Sequence, residues 1–321
     1  MRRRFILIIA LAFALAETCF SGDEPSPQDP AAREQMIREM KELEKALGFR
    51  RSGNFLNSSD KIAAYYRCYY TGKLEIPSSY DDLQLKQTNQ PACEVDSEKY
   101  DVFFYPIEAV ANGKSPVTTS LQNSTMERLL VVVPHEDFHV HKNSEKLPAS
   151  VTEAASTLIG FLTAIEFAQQ KFGMASPVYQ NLSKEPELFL RKAEVVNRYY
   201  PEFKMLYASA RAGRIGREEA LAAKQNLFAR MEEECGAITP DPTSFNKCLA
   251  AANNAGLAFD YTYTKNYPLL YELFLAKDRQ MRPTIEAIER VLAAQPSSEE
   301  AAIGAVRNAI EEQKRPASGP N

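Results

Sequence analysis

Apolar residues recur every three or four positions along most of this chain, the spacing that places them on one face of an α-helix. In residues 31–47 the apolar positions are Met36, Met40, Leu43 and Leu47, and Gly48 predicts the helix end. The same pattern predicts further helices over 135–142, 150–172, 185–212, 215–234, 244–259, 267–276, 282–294 and 298–314.

The pattern changes in the N-terminal half of the chain. A second helix is predicted to start at Ser58-Ser59-Asp60, which offers capping side chains, and to run to about Tyr70. Aromatic and β-branched residues predict strands over 101–107 and 129–133, and most of 73–125 is predicted to be irregular. No unit of 20–50 residues repeats, which excludes a solenoid. We therefore expect a mainly α fold with a small β-sheet (α+β), in a single domain over residues 31–314.

The N-terminus resembles a secretory signal. Arg2, Arg3 and Arg4 precede an apolar run from Phe5 to Ala16 that is short for a membrane-spanning helix. We predict a signal peptide over 1–21, with cleavage after Ala16 or Ser21, a flexible spacer over 22–30, and a disordered tail over 315–321. A lipid anchor on Cys19 is the less favoured alternative, and no membrane span is predicted in the mature chain.

Cysteine usage agrees with export. Without Cys19 four cysteines remain, and these allow three disulfide pairings. The simplest pairing joins sequence neighbours, Cys68 with Cys93 and Cys235 with Cys248; four buried free thiols are the alternative. Paired cysteines would indicate a periplasmic or extracellular protein.

The charge of the chain bears on its partners. The net charge is −4, and removal of residues 1–21 takes away three arginines and one glutamate, which makes it −6. With no dense run of Lys and Arg, we expect no nucleic-acid partner.

All three histidines lie within seven residues. His135, Glu136 and His139 form the pattern H-E-x-x-H, in which two residues four apart share one face of a helix and can bind one metal ion. Glu136 follows the first predicted ligand and is placed to act as general base toward a metal-activated water. This pattern predicts a catalytic zinc site.

A catalytic zinc ion takes three protein ligands and a water. Glu153 is the favoured third ligand, because it lies 14 residues after His139 among small residues that allow close approach of a second helix. His141 and Glu145 are the weaker alternatives.

Several segments resemble the predicted zinc aminopeptidases of bacteria, exported gluzincin-type proteins. Their zinc motif F-H-E-L-A-H-Q and the later F-N-E-S-F-A are similar to Pro134–Val140 and Val151–Ser156. Further similar segments follow downstream: Leu206–Ser209 (L-Y-A-S), Lys224–Phe228 (K-x-x-x-F), Asn253–Leu257 (N-N-A-x-L), Tyr263 and Tyr267–Leu270. The match is loose and covers about two-thirds of the mature chain.

This resemblance implies a zincin-like fold and peptide-bond hydrolysis, with one zinc ion per chain and a peptide or protein as substrate. It places Tyr263 where a donor to the oxyanion is expected, and it leaves Asn254 either as a contact to substrate backbone or as a turn cap. An aminopeptidase also binds the free α-amine with acidic groups, and no G-x-M-x-N segment of that kind is present.

Two other functions are kept open. The first is a catalytically inactive zincin-like module that binds a peptide or protein; it rests on Pro134, at the predicted helix start, and on Asp137, where zincins usually carry an uncharged residue. The second is an extracytoplasmic metal carrier that uses the three histidines, although such carriers have longer His-rich clusters.

Overall fold

The computed structural model describes residues 29–88, 90–141, 147–238 and 248–314. These residues form eleven helices, a short 3₁₀ turn and three strands, so the expected mainly helical fold with a small sheet is confirmed. The helices are α1 (Pro30–Ala46), α2 (Thr119–Gln122), α3 (Met126–His141), α4 (Ala149–Phe172), α5 (Pro177–Leu182), α6 (Glu185–Arg211), α7 (Arg217–Ile238), α8 (Asn254–Thr264), α9 (Tyr267–Ala276), α10 (Met281–Ala293) and α11 (Glu299–Lys314).

The three strands form one antiparallel sheet. They are β1 (Tyr65–Gly72), β2 (Gln84–Thr88) and β3 (Tyr100–Ile107), in the order β2-β1-β3. β1 is the central strand, and α8 packs against it and against β3 through Phe259. β2 is a polar edge strand, a composition that predicts no strand in the sequence.

The helical hairpin of α3 and α4 forms the centre of the main hydrophobic core. Leu129, Leu130, Leu158, Ile159 and Phe161 are all almost completely buried there. Within the described residues, α4 alone is long and apolar enough to cross a membrane, but 89% of its most apolar window is buried in the protein. Its hydropathy is therefore that of a core helix.

The predicted strand over 129–133 is wrong, as is a helix start at Pro134. Residues 129–133 belong to α3, and Pro134 lies inside that helix. A helix buried on all sides has the same uninterrupted apolar sequence as a buried strand, so periodicity cannot separate them. Thr125 Oγ1 accepts the backbone N–H of Arg128 at 3.2 Å and caps the true start of α3.

The predicted helix from residue 58 to Tyr70 is also wrong, because Tyr65–Gly72 is strand β1. Aromatic residues favour strands when they pack against neighbours on a sheet. Here Tyr69 stacks on Phe103 of β3, and Tyr66 stacks on Phe104. The strand predicted over 101–107 is confirmed as β3, whereas the rest of 73–125, expected to be irregular, also contains the 3₁₀ turn Tyr80–Asp82, strand β2 and helix α2.

Most other helices agree with the predicted bounds within a few residues. The helix predicted over 244–259 is displaced: α8 begins at Asn254, where Asn253 Oδ1 accepts the N–H of Gly256 at 3.0 Å, and it continues to Thr264. The short helix α5 was not predicted.

Both disulfides join sequence neighbours. Cys68 is bonded to Cys93 and Cys235 to Cys248, with Cα–Cα distances of 5.7 and 5.0 Å. They are compatible with an oxidising compartment. The predicted signal peptide (1–21), Cys19, residues 22–28 of the predicted spacer and the tail 315–321 lie outside the described residues.

Candidate metal centre

Two consecutive helices bring the predicted ligands together. His135 and His139 lie one turn apart on α3, with their Nε2 atoms 3.2 Å apart. Glu153, on the first turns of α4, points Oε2 at both rings, at 3.3 Å from His135 Nε2 and 3.1 Å from His139 Nε2. The three side chains are 14%, 15% and 8% exposed, so they converge on a nearly enclosed point.

The spacing of these atoms fits a tetrahedral zinc ion. Zinc lies about 2.0–2.1 Å from imidazole nitrogen and carboxylate oxygen, which places tetrahedral ligand atoms roughly 3.3 Å from one another. The observed separations are 3.1–3.3 Å. Two imidazoles and one carboxylate are also a common protein ligand set for catalytic zinc. The donor set and its geometry therefore suit the metal that the sequence predicts.

A glycine allows α4 to approach α3 at this point. Gly160 lies two helical turns after Glu153, and a Cβ atom there would meet Val131 O at 3.1 Å and His135 Cβ at 3.2 Å. A side chain would push the two helices apart beside the first histidine. Sequence reasoning identified the small residues around Glu153 but missed Gly160.

Tyr80 orients the carboxylate. Its hydroxyl donates a hydrogen bond to Glu153 Oε1 at 2.6 Å, which leaves Oε2 directed at the histidines. Outer contacts of this kind fix metal ligands and tune their basicity. Tyr80 lies 73 residues from Glu153, in a segment without periodicity, so no sequence signal could have identified it.

Asp137 has a packing role. It is fully buried; its carboxylate pairs with Lys41 Nζ of α1 and accepts the Asn54 side-chain amide at 3.1 Å. The charge that distinguishes this motif therefore anchors α3 to α1 and to the segment that follows α1.

The electrostatics of the three ligand side chains are strongly coupled. Burial opposes charge on His139, but the charge and hydrogen bond of Glu153 outweigh it and raise the pKa of His139 to about 9. Burial alone would raise the pKa of Glu153, whereas the two imidazoles hold it well below its usual value. Without a metal, the cluster thus holds a carboxylate against a protonated imidazole.

Glu136 and Tyr263 border the same point. Burial raises the pKa of Glu136, and the opposing effect of His135 and His139 does not cancel it. The ring of Tyr263 is stacked at 6.3 Å from that of His135, and burial raises its pKa well above the usual value. Its hydroxyl has no hydrogen-bond partner among the described residues, which leaves it available as a donor.

Two cavities meet at His135, Glu136 and Tyr263. One is a polar cleft of about 570 Å³ that contains all three predicted ligands. The other, of about 450 Å³, is lined by aromatic and aliphatic side chains such as Phe103, Phe189 and Val132. The site is therefore accessible from a space large enough for peptide side chains.

The remaining predicted positions divide into two groups. The His141 side chain and Glu145, the alternative third ligands, lie outside the described residues. Asn254 is fully buried, where it accepts the Tyr207 hydroxyl at 2.6 Å and donates to Lys73 O at 3.0 Å, so it supports the fold. Two of the segments that resemble the family, Leu206–Ser209 and Asn253–Leu257, are thus joined by hydrogen bonds away from the cleft.

Comparisons with protein-family models, curated proteins and solved structures give no match.

Proposed function

We propose that this chain is an exported zinc-dependent metallopeptidase with a zincin-like site. The observation that carries the proposal is the convergence of His135, His139 and Glu153 at zinc-ligand spacing, beside a carboxylate that is not a ligand and at the junction of two cavities. The resemblance to bacterial zinc aminopeptidases and the secretory character of residues 1–21 support the same conclusion.

In this proposal His135, His139 and Glu153 would hold the zinc ion. Zinc supplies Lewis acidity, which acidifies water and polarises a carbonyl group. Glu136 takes the proton of the attacking water and passes it to the leaving amine. Its raised pKa suits that work, because a general base is most effective when its pKa is near the working pH.

Tyr263 is proposed to donate its hydroxyl to the oxyanion that develops as the peptide carbonyl is attacked. Its ring is fixed between His135 and Phe259, with centroid distances of 6.3 and 5.2 Å. A donor held in place in a partly buried site stabilises developing charge without reorganisation. Its high pKa keeps the proton on the hydroxyl at neutral pH.

The test combines metal content with peptide hydrolysis. Purified protein should carry about one zinc per chain and cleave members of a peptide library. Glu136→Gln should retain the zinc while hydrolysis falls by roughly 10²–10⁴-fold, and Tyr263→Phe should reduce hydrolysis by about 10–10³-fold. Glu194→Gln is the matched control, since Glu194 is exposed on α6.

Zinc binding without hydrolysis of any library peptide would contradict the enzymatic proposal. It would favour the catalytically inactive binding module instead. Absence of stoichiometric zinc after metal loading would contradict both.

A further inference from the structure

The polar cleft has an unequal charge distribution around the metal centre. Apart from the ligands and Glu136, its described charged residues are three arginines and one acid: Arg50, Arg51, Arg67 and Asp81. Among the described residues that line the cleft outside the metal centre, positive side chains thus outnumber negative ones, in a protein whose net charge is negative.

Of these three arginines, Arg67 is the one that lies on a strand. It lies on the central strand β1, where Gln87 and Tyr105 are its cross-strand partners. Tyr69, two residues further along β1 and on the same face, also lines the cleft. Tyr69 contacts Tyr80, the residue that holds Glu153, with 6.3 Å between the ring centroids. The sheet therefore fixes the backbone of Arg67 on the face that borders the metal centre.

The guanidinium of Arg67 forms no ion pair with any carboxylate that the structure describes. One of its nitrogens is 3.4 Å from the carbonyl oxygen of Tyr66. Arg128, which borders the adjoining cavity, differs in this respect: it is paired with Glu108 and donates to the Tyr105 hydroxyl. Arg67 thus retains donors for an incoming group.

Recognition of a free amino group has less support in this cleft. Asp81 is the one described acid there besides Glu136 and Glu153, and the latter two have roles at the metal centre. The guanidinium fork, by contrast, matches a carboxylate through two parallel hydrogen bonds.

We propose that the cleft recognises peptides that carry a carboxylate, and that Arg67 is the residue that binds it. This inference rests on the proposed peptidase function and specifies its substrate class. The carboxylate belongs either to the peptide C-terminus or to an acidic side chain, which have the same chemistry for an arginine.

The experiment measures binding of three fluorescently labelled peptides to zinc-loaded Glu136→Gln protein. The peptides share one neutral sequence: the first has a free C-terminus, the second an amidated C-terminus, and the third an amidated C-terminus with one internal Glu. At least one anionic peptide should bind about 10–100-fold more tightly than the neutral amide. Whichever anionic peptide has this advantage identifies the source of the carboxylate.

The same measurements in a second set of variants test Arg67 itself. Adding Arg67→Gln should abolish the advantage and leave binding of the neutral amide unchanged, while Arg67→Lys should keep part of it. Arg307→Gln, on the exposed face of α11, makes the same charge change away from the cleft and should keep all of the advantage.

Equal binding of the three peptides would overturn the inference. Equal weakening of all three by Arg67→Gln would also overturn it, because that pattern indicates a structural role. Hydrolysis by the unmodified protein separates this inference from the proposed function. If the unmodified protein hydrolyses peptides but no carboxylate preference is found, only the inference is refuted. If the preference is found but no peptide is hydrolysed, only the proposed peptidase function is refuted.

Discussion

Two buried clusters of charged residues lie beside cavities of similar size, and their charges are arranged differently. The metal-site cluster consists of His135, His139 and Glu153, beside the cleft of about 570 Å³. The Asp101 cluster consists of Asp101, Lys73 and Lys224, beside a cavity of about 600 Å³ between β3, α7 and the start of α8.

In the Asp101 cluster each charge has a partner of opposite sign. The carboxylate of Asp101 pairs with Lys224 and with Lys73, the latter at 3.2 Å, and it accepts the backbone N–H of Asn254 at 2.8 Å. Lys224 also donates to Lys73 O at 3.0 Å. This arrangement satisfies buried groups and ties three elements together, as a structural ion pair does.

In the metal-site cluster the three ligand atoms point at one another. Two imidazole nitrogens face each other at 3.2 Å, and one carboxylate oxygen approaches both. The lone pairs of these atoms repel one another unless a shared proton or a cation lies between them. Both clusters are buried and charged, so the direction of the lone pairs is what makes His135, His139 and Glu153 the candidate metal site.

The largest expected effect is on folding and comes from Asp101→Asn. This change leaves Lys224 buried without its counter-charge, which should lower the free energy of unfolding by about 3–5 kcal/mol. Urea denaturation measures it, and the remaining folded protein should still bind one zinc. A loss below about 1 kcal/mol would show that the Asp101 cluster does not anchor the fold. The double variant with Lys224→Met should recover part of the loss.

Glu153→Gln should weaken zinc binding more than folding, the reverse of what is expected for Asp101→Asn. It removes a ligand charge, so zinc affinity should fall by more than the roughly 10–100-fold that loss of an outer contact typically costs. The metal-free protein should lose only the stabilisation that Glu153 gives to protonated His139, because an amide still accepts from Tyr80. Competition with a zinc chelator gives the affinity. Unchanged zinc affinity would exclude Glu153 as the third ligand.

Gly160→Ala tests the contact between α3 and α4. The added methyl group would approach His135 and Val131 O too closely, so we expect a cost of about 1–3 kcal/mol in stability and weaker zinc binding. Gly304→Ala is the matched control: its Cβ meets open space in α11, and the change should stabilise the protein by about 0.5–1 kcal/mol. Equal effects of both variants would contradict the close-approach argument.

The smallest expected effect is that of pH on the apparent affinity for zinc. Because the pKa of His139 is raised to about 9 in the metal-free cluster, zinc must displace a proton below that pH. Its apparent affinity should rise about tenfold per pH unit from pH 7 to pH 9. Chelator competition at several pH values measures this slope, and a flat profile would contradict the coupling.

The stability of the metal-free protein should change in the opposite direction. The pKa of His139 in the folded protein lies above its ordinary value of 6.5, so protonation of His139 stabilises the fold. This contribution is fully present below pH 6.5 and is lost as the pH rises through about 9. The melting temperature of metal-free protein, with Glu153→Gln as the control, tests this sign.

The sequence by itself determined the features that depend on short spacings. The spacing of four positions from His135 to His139 places both on one helix face, and a short return brings Glu153 back to them. The disulfides join cysteines that are close in sequence, and long amphipathic helices such as α6 and α10 follow directly from their periodicity.

Only the tertiary structure decided the features that depend on distant partners. The run at 129–133 is helical because other elements surround it, whereas Tyr65–Tyr70 form a strand because β2 and β3 supply their hydrogen bonds. Tyr80 and Gly160 acquire their roles from Glu153 and His135, which approach them only after folding. Local periodicity reports how much of a segment is buried, but it carries no information about which distant residues pack against that segment.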